Sequence, residues 1–178
     1  MMTSDKTLAR NAVGDPQAFG ELFDRYALRV YRYTYSRVHH RENAEDITSQ
    51  VFHDALQNID QYKPIAPFSA WLFTIARRRI ADFFRKSVPA EQLDDETPHD
   101  SVEILTDVIK SEELRQLEEQ LKTLADDERE LLRLRFAACM HYKEIASLLD
   151  KKPGAVKIAI YRLINRIKVN MENSDGSK

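Results

Sequence analysis

One cysteine, four glycines and six prolines are spread over 178 residues, and each scarcity removes a class of protein. A lone thiol, Cys139, can make no internal disulfide, so the fold is expected to stand without one and to suit a reducing compartment. Four glycines are too few for the positive-φ turns of hairpins and sandwiches, and they exclude a glycine-rich phosphate loop. No apolar run approaches membrane-spanning length, so no membrane insertion is expected. The polar stretch Met1 to Asn11 lacks the apolar core of a signal peptide, which leads to an expectation of cytoplasmic localisation. His39, His40, His53, His99 and His141 are scattered without metal-ligand spacing, and Cys139 has no partner base by motif. Neither a catalytic site, a metal nor a cofactor is therefore expected, and Cys139 reads as a buried or hinge residue.

What is present is helix. Hydrophobic residues make up 43% and charged residues 31% of the chain, with a net charge of -2 that conceals strong local segregation. Asp15-Pro16 is a helix start, an Asp cap followed by Pro in the first turn, and Phe19, Leu22, Phe23, Tyr26, Val30 and Tyr33 follow at helical spacing to about Val38. Asn43 can cap a second helix that ends near Ile59, with Ile47, Val51, Phe52, Ala55 and Ile59 inward. Pro64 and Pro67 mark a loop over Asp60 to Pro67, and a third long helix follows from Phe68 to Lys86. Between Ser87 and Asp107 stand Glu91, Asp94, Asp95, Glu96, Asp100, Glu103 and Asp107 without a single Lys or Arg. This reads as an acidic linker. Helical periodicity resumes at about Val108 and again at Asp126.

The segment Tyr142 to Lys168 reads as a helix-turn-helix: a short helix with Ile145, Ala146 and Leu149 inward, a turn at Asp150 to Lys152, and a longer helix opening at Pro153 or Gly154. Val156, Ile160, Leu163 and Ile167 share one packing face of that second helix. Lys157, Ile158, Tyr161, Arg162, Asn165 and Lys168 share the other, a mixture able to hold phosphates, hydrogen-bond to base edges and touch a thymine methyl. Ile158 is the informative member, because an isoleucine amid polar residues fits a major groove better than solvent. The plainer alternative is a solvated surface helix.

The wording Tyr142-Lys143-Glu144-Ile145-Ala146-Ser147-Leu148-Leu149, a turn, then Gly154-Ala155-Val156-Lys157 resembles the promoter-reading domain of extracytoplasmic-function (ECF, group IV) RNA polymerase sigma factors. Asp150 stands where that family commonly has a turn glycine. A helix-turn-helix also occurs in stand-alone regulators that bind duplex operator DNA, so the N-terminal half has to discriminate. Along Phe68 to Lys86, Leu72, Phe73, Ala76, Ile80, Phe83 and Phe84 share one side, while Trp71, Thr74, Arg78 and Arg85 line the other. Basic residues beside an aromatic suit single-stranded or melted DNA. The alternative packs Trp71 on the preceding helix and pairs Asp82 with Arg78.

Phe68-Ser69-Ala70-Trp71-Leu72-Phe73-Thr74-Ile75-Ala76-Arg77 with Asp82-Phe83-Phe84-Arg85 is similar to the sigma segment that recognises and melts the minus-10 element. The resemblance implies that the loop Gln61 to Pro67, including Gln61, Tyr62 and Lys63, helps capture a flipped base. On the second helix, Asp46, Ser49, Gln50, His53 and Gln57 form an exposed row with little positive charge, suited to a protein rather than to DNA. Ala44-Glu45-Asp46-Ile47-Thr48 to Val51-Phe52 resembles the family segment that grips core RNA polymerase. The resemblance thus implies an all-α protein with a region-2 domain over 12–87, an acidic linker over 88–110 and a region-4 domain over 111–171. Core polymerase and promoter DNA are its implied partners, with an anti-sigma protein that no residue here identifies.

Overall fold

The computed structural model describes residues 3–87 and 112–175, with side chains placed for 3–86 and 116–173. The acidic stretch at 88–110 and the resumption of helix at Val108 lie outside the described residues. Among the described residues all regular structure is helical. The helices are α1 (Asp5–Asn11), α2 (Pro16–Val38), α3 (Arg41–Gln57), α4 (Phe68–Ser87), α5 (Glu112–Lys122), α6 (Asp126–Leu132), α7 (Tyr142–Leu148) and α8 (Pro153–Asp175). A 3-10 turn at Ile59–Gln61 and a π-helical turn at Arg133–Ala137 complete them.

The start of α2 follows its sequence signal, since the Asp15 carboxylate accepts from Gln17 N at 2.9 Å and Pro16 occupies the first turn. Helix α3 begins three residues earlier than expected. His39 reverses the chain in the left-handed region at φ 51°, and His40 Nδ1 then accepts from the Asn43 amide at 3.4 Å. Asn43 is the donor in this cap, not the capping side chain. Helix α1 was hidden in a stretch that reads as polar. Ser4 Oγ accepts from Thr7 N at 3.2 Å, and Leu8, Ala9 and Ala12 are buried. The Tyr26 hydroxyl donates to Asp5 at 2.5 Å and Arg25 pairs with Asp5 at 2.7 Å, tying α1 to α2.

One core is built from Leu22, Tyr26, Val30 and Tyr33 of α2, Ile47, Val51, Phe52 and Ala55 of α3, and Phe68, Leu72, Phe73, Ala76 and Ile80 of α4. Phe23 has the spacing of a core residue but remains 44% exposed, lying edge-on to Phe52 at 4.7 Å. Arg79 of α4 grips Asp54 of α3 with two nitrogens, Nε at 2.5 Å, and this charge-assisted fork holds the Asp54 carboxyl below the usual carboxylate range. A carboxyl depressed by folding adds stability above its unfolded pKa of about 3.9, and the contribution disappears as pH falls through the lower folded value. Asp54→Asn is expected to cost about 1–2 kcal/mol at pH 7 and almost nothing at the acid end of a urea-denaturation series. A cost independent of pH would contradict the ion-pair origin.

The same buried cluster continues in the C-terminal half through Leu124, Leu131, Leu132, Leu134, Met140, Ile145, Ala146, Val156, Ile160, Leu163 and Ile167. The π-helical turn ends with Ala138 N donating to Arg133 O at 3.0 Å, after which Cys139 takes φ 51° and Met140 N reaches back to Leu134 O at 3.0 Å. That reversal buries Met140 completely and starts α7 in a new direction. Cys139 is thus at a hinge, as read from sequence, but its side chain is exposed rather than buried. The two halves meet where α2 lies on the π-helical turn and α4 lies on α7. Arg29 Nε donates to Ala138 O at 2.8 Å, the Tyr33 hydroxyl to Glu130 Oε1 at 2.7 Å, and Ser69 Oγ to Glu144 Oε1 at 2.5 Å.

Candidate nucleic-acid interface

Helices α7 and α8 form the helix-turn-helix. Glu144 caps α7 by accepting from the His141 amide at 2.6 Å. At its other end Leu149 N donates to Ile145 O and Lys151 N to Ala146 O, both at 2.9 Å, which satisfies carbonyls that a helix end would leave open. The geometry requires a left-handed residue between them. Asp150 supplies it at φ 51°, and Asp tolerates this region better than most side chains. The replacement of glycine by Asp150 therefore leaves the turn intact.

On α8 the inward set Val156, Ile160, Leu163 and Ile167 is buried. Lys157, Ile158, Tyr161, Arg162, Asn165 and Lys168 are all exposed on the opposite side, Ile158 at 53%. The Tyr161 ring lies 6.5 Å from that of Tyr142 and has the Lys157 ammonium 5.8 Å from its centre. Arg135 in turn sits 4.8 Å over Tyr142, so basic and aromatic groups alternate along this surface. Lys168 is within 3.7 Å of Glu172. Arg166, by contrast, turns away to Glu128 at 2.6 Å, holding that carboxyl below its usual range and strapping α8 to α6.

The α4 surface lies in the N-terminal half. Thr74, Arg78 and Arg85 are exposed, and Trp71 is half-buried against the rings of Tyr62 at 5.6 Å and Phe68 at 5.5 Å. Thr74 Oγ1 donates to Ala70 O at 2.8 Å. Asp82 pairs with Arg85 at 2.7 Å rather than with Arg78. In the preceding loop Gln61 and Lys63 are exposed, Gln61 Nε2 donating to Asn58 Oδ1 at 3.0 Å. Tyr62 is buried, its ring edge-on to Phe68 at 5.5 Å, and its hydroxyl donates to Ala66 O at 2.8 Å. Burial, with Asp5 nearby, raises its pKa, so the hydroxyl stays a donor. The sequence reading missed Ile65, which is 86% exposed at the loop tip. An apolar residue flanked by Pro64 and Pro67 was the available signal.

On α3, Asp46, Ser49, Gln50, His53 and Gln57 are exposed in one row. Ser49 Oγ is satisfied by Glu45 O at 3.0 Å, and the His53 ring lies 3.4 Å from Gln57 Nε2. Leu56, 49% exposed beside the row, was also missed. Among the described residues no cluster of His, Cys, Asp or Glu could hold a metal, and no helix is long and apolar enough to cross a membrane.

These features describe a helical protein with a helix-turn-helix in its C-terminal half and a basic-aromatic face on α4. Residues 22–88 match the family described as Sigma-70 region 2, and residues 114–167 match Sigma-70, region 4. The chain is 35% identical over 170 residues to the ECF RNA polymerase sigma factor BldN of Streptomyces coelicolor, covering 89% of this chain and 62% of BldN. It is 29% identical over 175 residues to SigW of Bacillus subtilis, covering 90% and 92% of the two chains. Its fold is similar to that of CnrH, solved in complex with the cytosolic domain of CnrY, with a TM-score of 0.67 and 24% identity over 96% of this chain and 99% of CnrH. The chain belongs to the ECF sigma factors of RNA polymerase. These are non-catalytic cytoplasmic proteins that direct promoter recognition by binding core polymerase and promoter DNA. Membership through both halves sets aside the stand-alone regulator that the helix-turn-helix alone left open.

Proposed function

We propose that three surfaces of this chain divide the work of transcription initiation. Lys157, Ile158, Tyr161, Arg162, Asn165 and Lys168 read the minus-35 element as duplex. Gln61, Lys63, Trp71, Thr74, Arg78 and Arg85 open and hold the minus-10 element, with Tyr62 shaping their loop from beneath. Asp46, Ser49, Gln50, His53 and Gln57 grip core polymerase. On this reading the units are 12–87 and 111–171, joined by an acidic linker at 88–110. The observation that carries the reading is the exposure of two basic-aromatic faces, on α4 and α8, beside an α3 row with almost no positive charge. An anti-sigma protein is part of this reading; CnrH, of similar fold, was solved in complex with the cytosolic domain of CnrY.

The test is reconstitution with bacterial core polymerase and a promoter carrying a melting-sensitive base analogue. Opening is expected only when chain and core are both present, and strong operator-like binding by the chain alone would sink the proposal. Within that assay Arg162→Ala is expected to weaken binding to the minus-35 sequence by about 1–3 kcal/mol, the worth of one bidentate base contact. The loss should shrink when the upstream sequence is scrambled. An equal loss on every sequence assigns Arg162 to phosphate instead.

A further inference from the structure

We propose that four arginines gathered around Glu130 form a binding site for a diphosphate-type anion. Arg37 lies in the last turn of α2 and Arg77 midway along α4, while Arg129 of α6 and Arg133 of the π-helical turn stand about one turn apart. Glu130 is buried among them, and its carboxylate accepts the Tyr33 hydroxyl at 2.7 Å, with Arg37 Nη1 at 3.5 Å and Arg77 Nε at 3.3 Å. Both arginine contacts are long and single, so neither guanidinium uses its two-nitrogen fork on the carboxylate. Arg129 donates to Asp126 at 2.7 Å, but its Nε is buried without a hydrogen-bond partner. Arg133 is half-buried, and its guanidinium has no hydrogen-bond partner among the described residues.

Four positive charges therefore share two carboxylates, Glu130 and Asp126, and a surplus of two remains. Arg133 carries most of the penalty. Burial first, and then the charge of Arg37, hold its guanidinium below the usual arginine range, with Glu130 opposing and Arg129 adding to the effect. Arginine keeps its proton at neutral pH, so the penalty is one of stability rather than of charge state. Water can solvate the open edges of these groups, but only an anion also cancels their mutual repulsion.

The arrangement selects the class of anion. Guanidinium forks match phosphate oxygens two at a time, and two linked phosphate groups supply enough oxygens for guanidiniums arriving from three elements. A diphosphate also carries the two or more negative charges that the surplus calls for. A monocarboxylate offers two oxygens and one charge, too few for either task. Access is from the side of Arg37 and Arg77, whose side chains are 31% and 43% exposed. None of the four arginines belongs to the DNA and polymerase surfaces proposed above, so the site is independent of that reading.

Calorimetric titration of the full chain with sodium pyrophosphate at fixed ionic strength, paired with thermal unfolding, tests the site. One binding event per chain is expected, and a tenfold excess over the dissociation constant should raise the melting temperature by about 3–6 °C. Sodium sulfate at equal ionic strength measures the general stabilisation by excluded anions, which the pyrophosphate effect should exceed. Arg133→Met keeps the apolar stem and removes the unpaired charge. It is expected to weaken pyrophosphate binding at least tenfold, yet to unfold in chloride at the same temperature as wild type or a higher one. An arginine of purely structural value predicts the opposite sign in chloride, and that result overturns the assignment. If Arg133→Met loses helical signal, Arg77→Gln, on an exposed side chain, decides the matter through an expected 3- to 10-fold loss of affinity. Adenosine diphosphate that binds more tightly than pyrophosphate identifies a nucleotide as the source of the anion, and weaker binding identifies the free inorganic form. Absence of saturable binding, a melting shift no larger than that of sulfate, or affinity unchanged in both variants overturns the proposal, and so does saturation by a DNA duplex without any by pyrophosphate.

Discussion

Phe73→Ala is expected to remove about 3–5 kcal/mol of unfolding free energy, the range for emptying an aromatic site in a packed core. Phe73 has no solvent exposure and meets the Tyr33 ring edge-on at 5.4 Å, and it shares its core with Leu22, Val51 and Leu72 from three helices. Substitution therefore removes the ring contact with Tyr33 of α2 and opens a cavity in the cluster that α2, α3 and α4 share. Domains of this size are stable by about 5–15 kcal/mol in total, so the loss brings the N-terminal core near its threshold at growth temperature. Phe73→Leu keeps most of the volume and is expected to cost about 1–2 kcal/mol. Urea denaturation followed by far-ultraviolet circular dichroism measures both. A Phe73→Ala loss under about 1 kcal/mol would show that this site collapses freely and is not the pivot of the α2–α3–α4 core.

The same pivot shows why some of the molecule was legible in the sequence and some was not. Helices α2, α4 and α8 are long enough for apolar residues to recur through several turns, so their buried faces could be read from spacing alone. Helix α1 has about two turns, and its buried residues Leu8 and Ala9, with Ala12 just past its end, are too few and too small to stand out as a period. The φ 51° conformations of His39, Cys139 and Asp150 were invisible because none is glycine, although each reverses the chain where one element must give way to the next. Glu130 was beyond reach for another reason. In sequence it is one more acid on a charged helix, and its partners Tyr33, Arg37 and Arg77 lie on remote helices. Surface composition read correctly that the α3 row is poor in positive charge. It could not distinguish Tyr62, a buried strut, from its exposed neighbours Gln61 and Lys63, because all three are polar residues in one loop.

That distinction leads to the largest functional effect expected from a single side chain in the loop. Tyr62→Ala is expected to lower the rate of promoter opening by tenfold or more while leaving core polymerase binding within about twofold of wild type. The Tyr62 ring is the floor on which Phe68 and Trp71 rest, at 5.5 and 5.6 Å, and its hydroxyl ties the loop to Ala66 O at 2.8 Å. Each aromatic pair is worth about 0.5–1.5 kcal/mol beyond burial, so removing the ring frees Trp71 and the Lys63-to-Ala66 loop at once. A tenfold rate change needs only about 1.4 kcal/mol of lost transition-state stabilisation, within the about 1–3 kcal/mol that the two ring contacts together supply. Tyr62→Phe keeps the floor and deletes the tie, with an expected cost near 1 kcal/mol in loop closure and an intermediate opening rate. The graded series matters because a direct DNA contact through the hydroxyl predicts a different order, with Phe as damaging as Ala. Stopped-flow fluorescence of a base analogue in the minus-10 element separates the two, and equal defects in both variants would move Tyr62 from beneath the loop to its DNA-facing side.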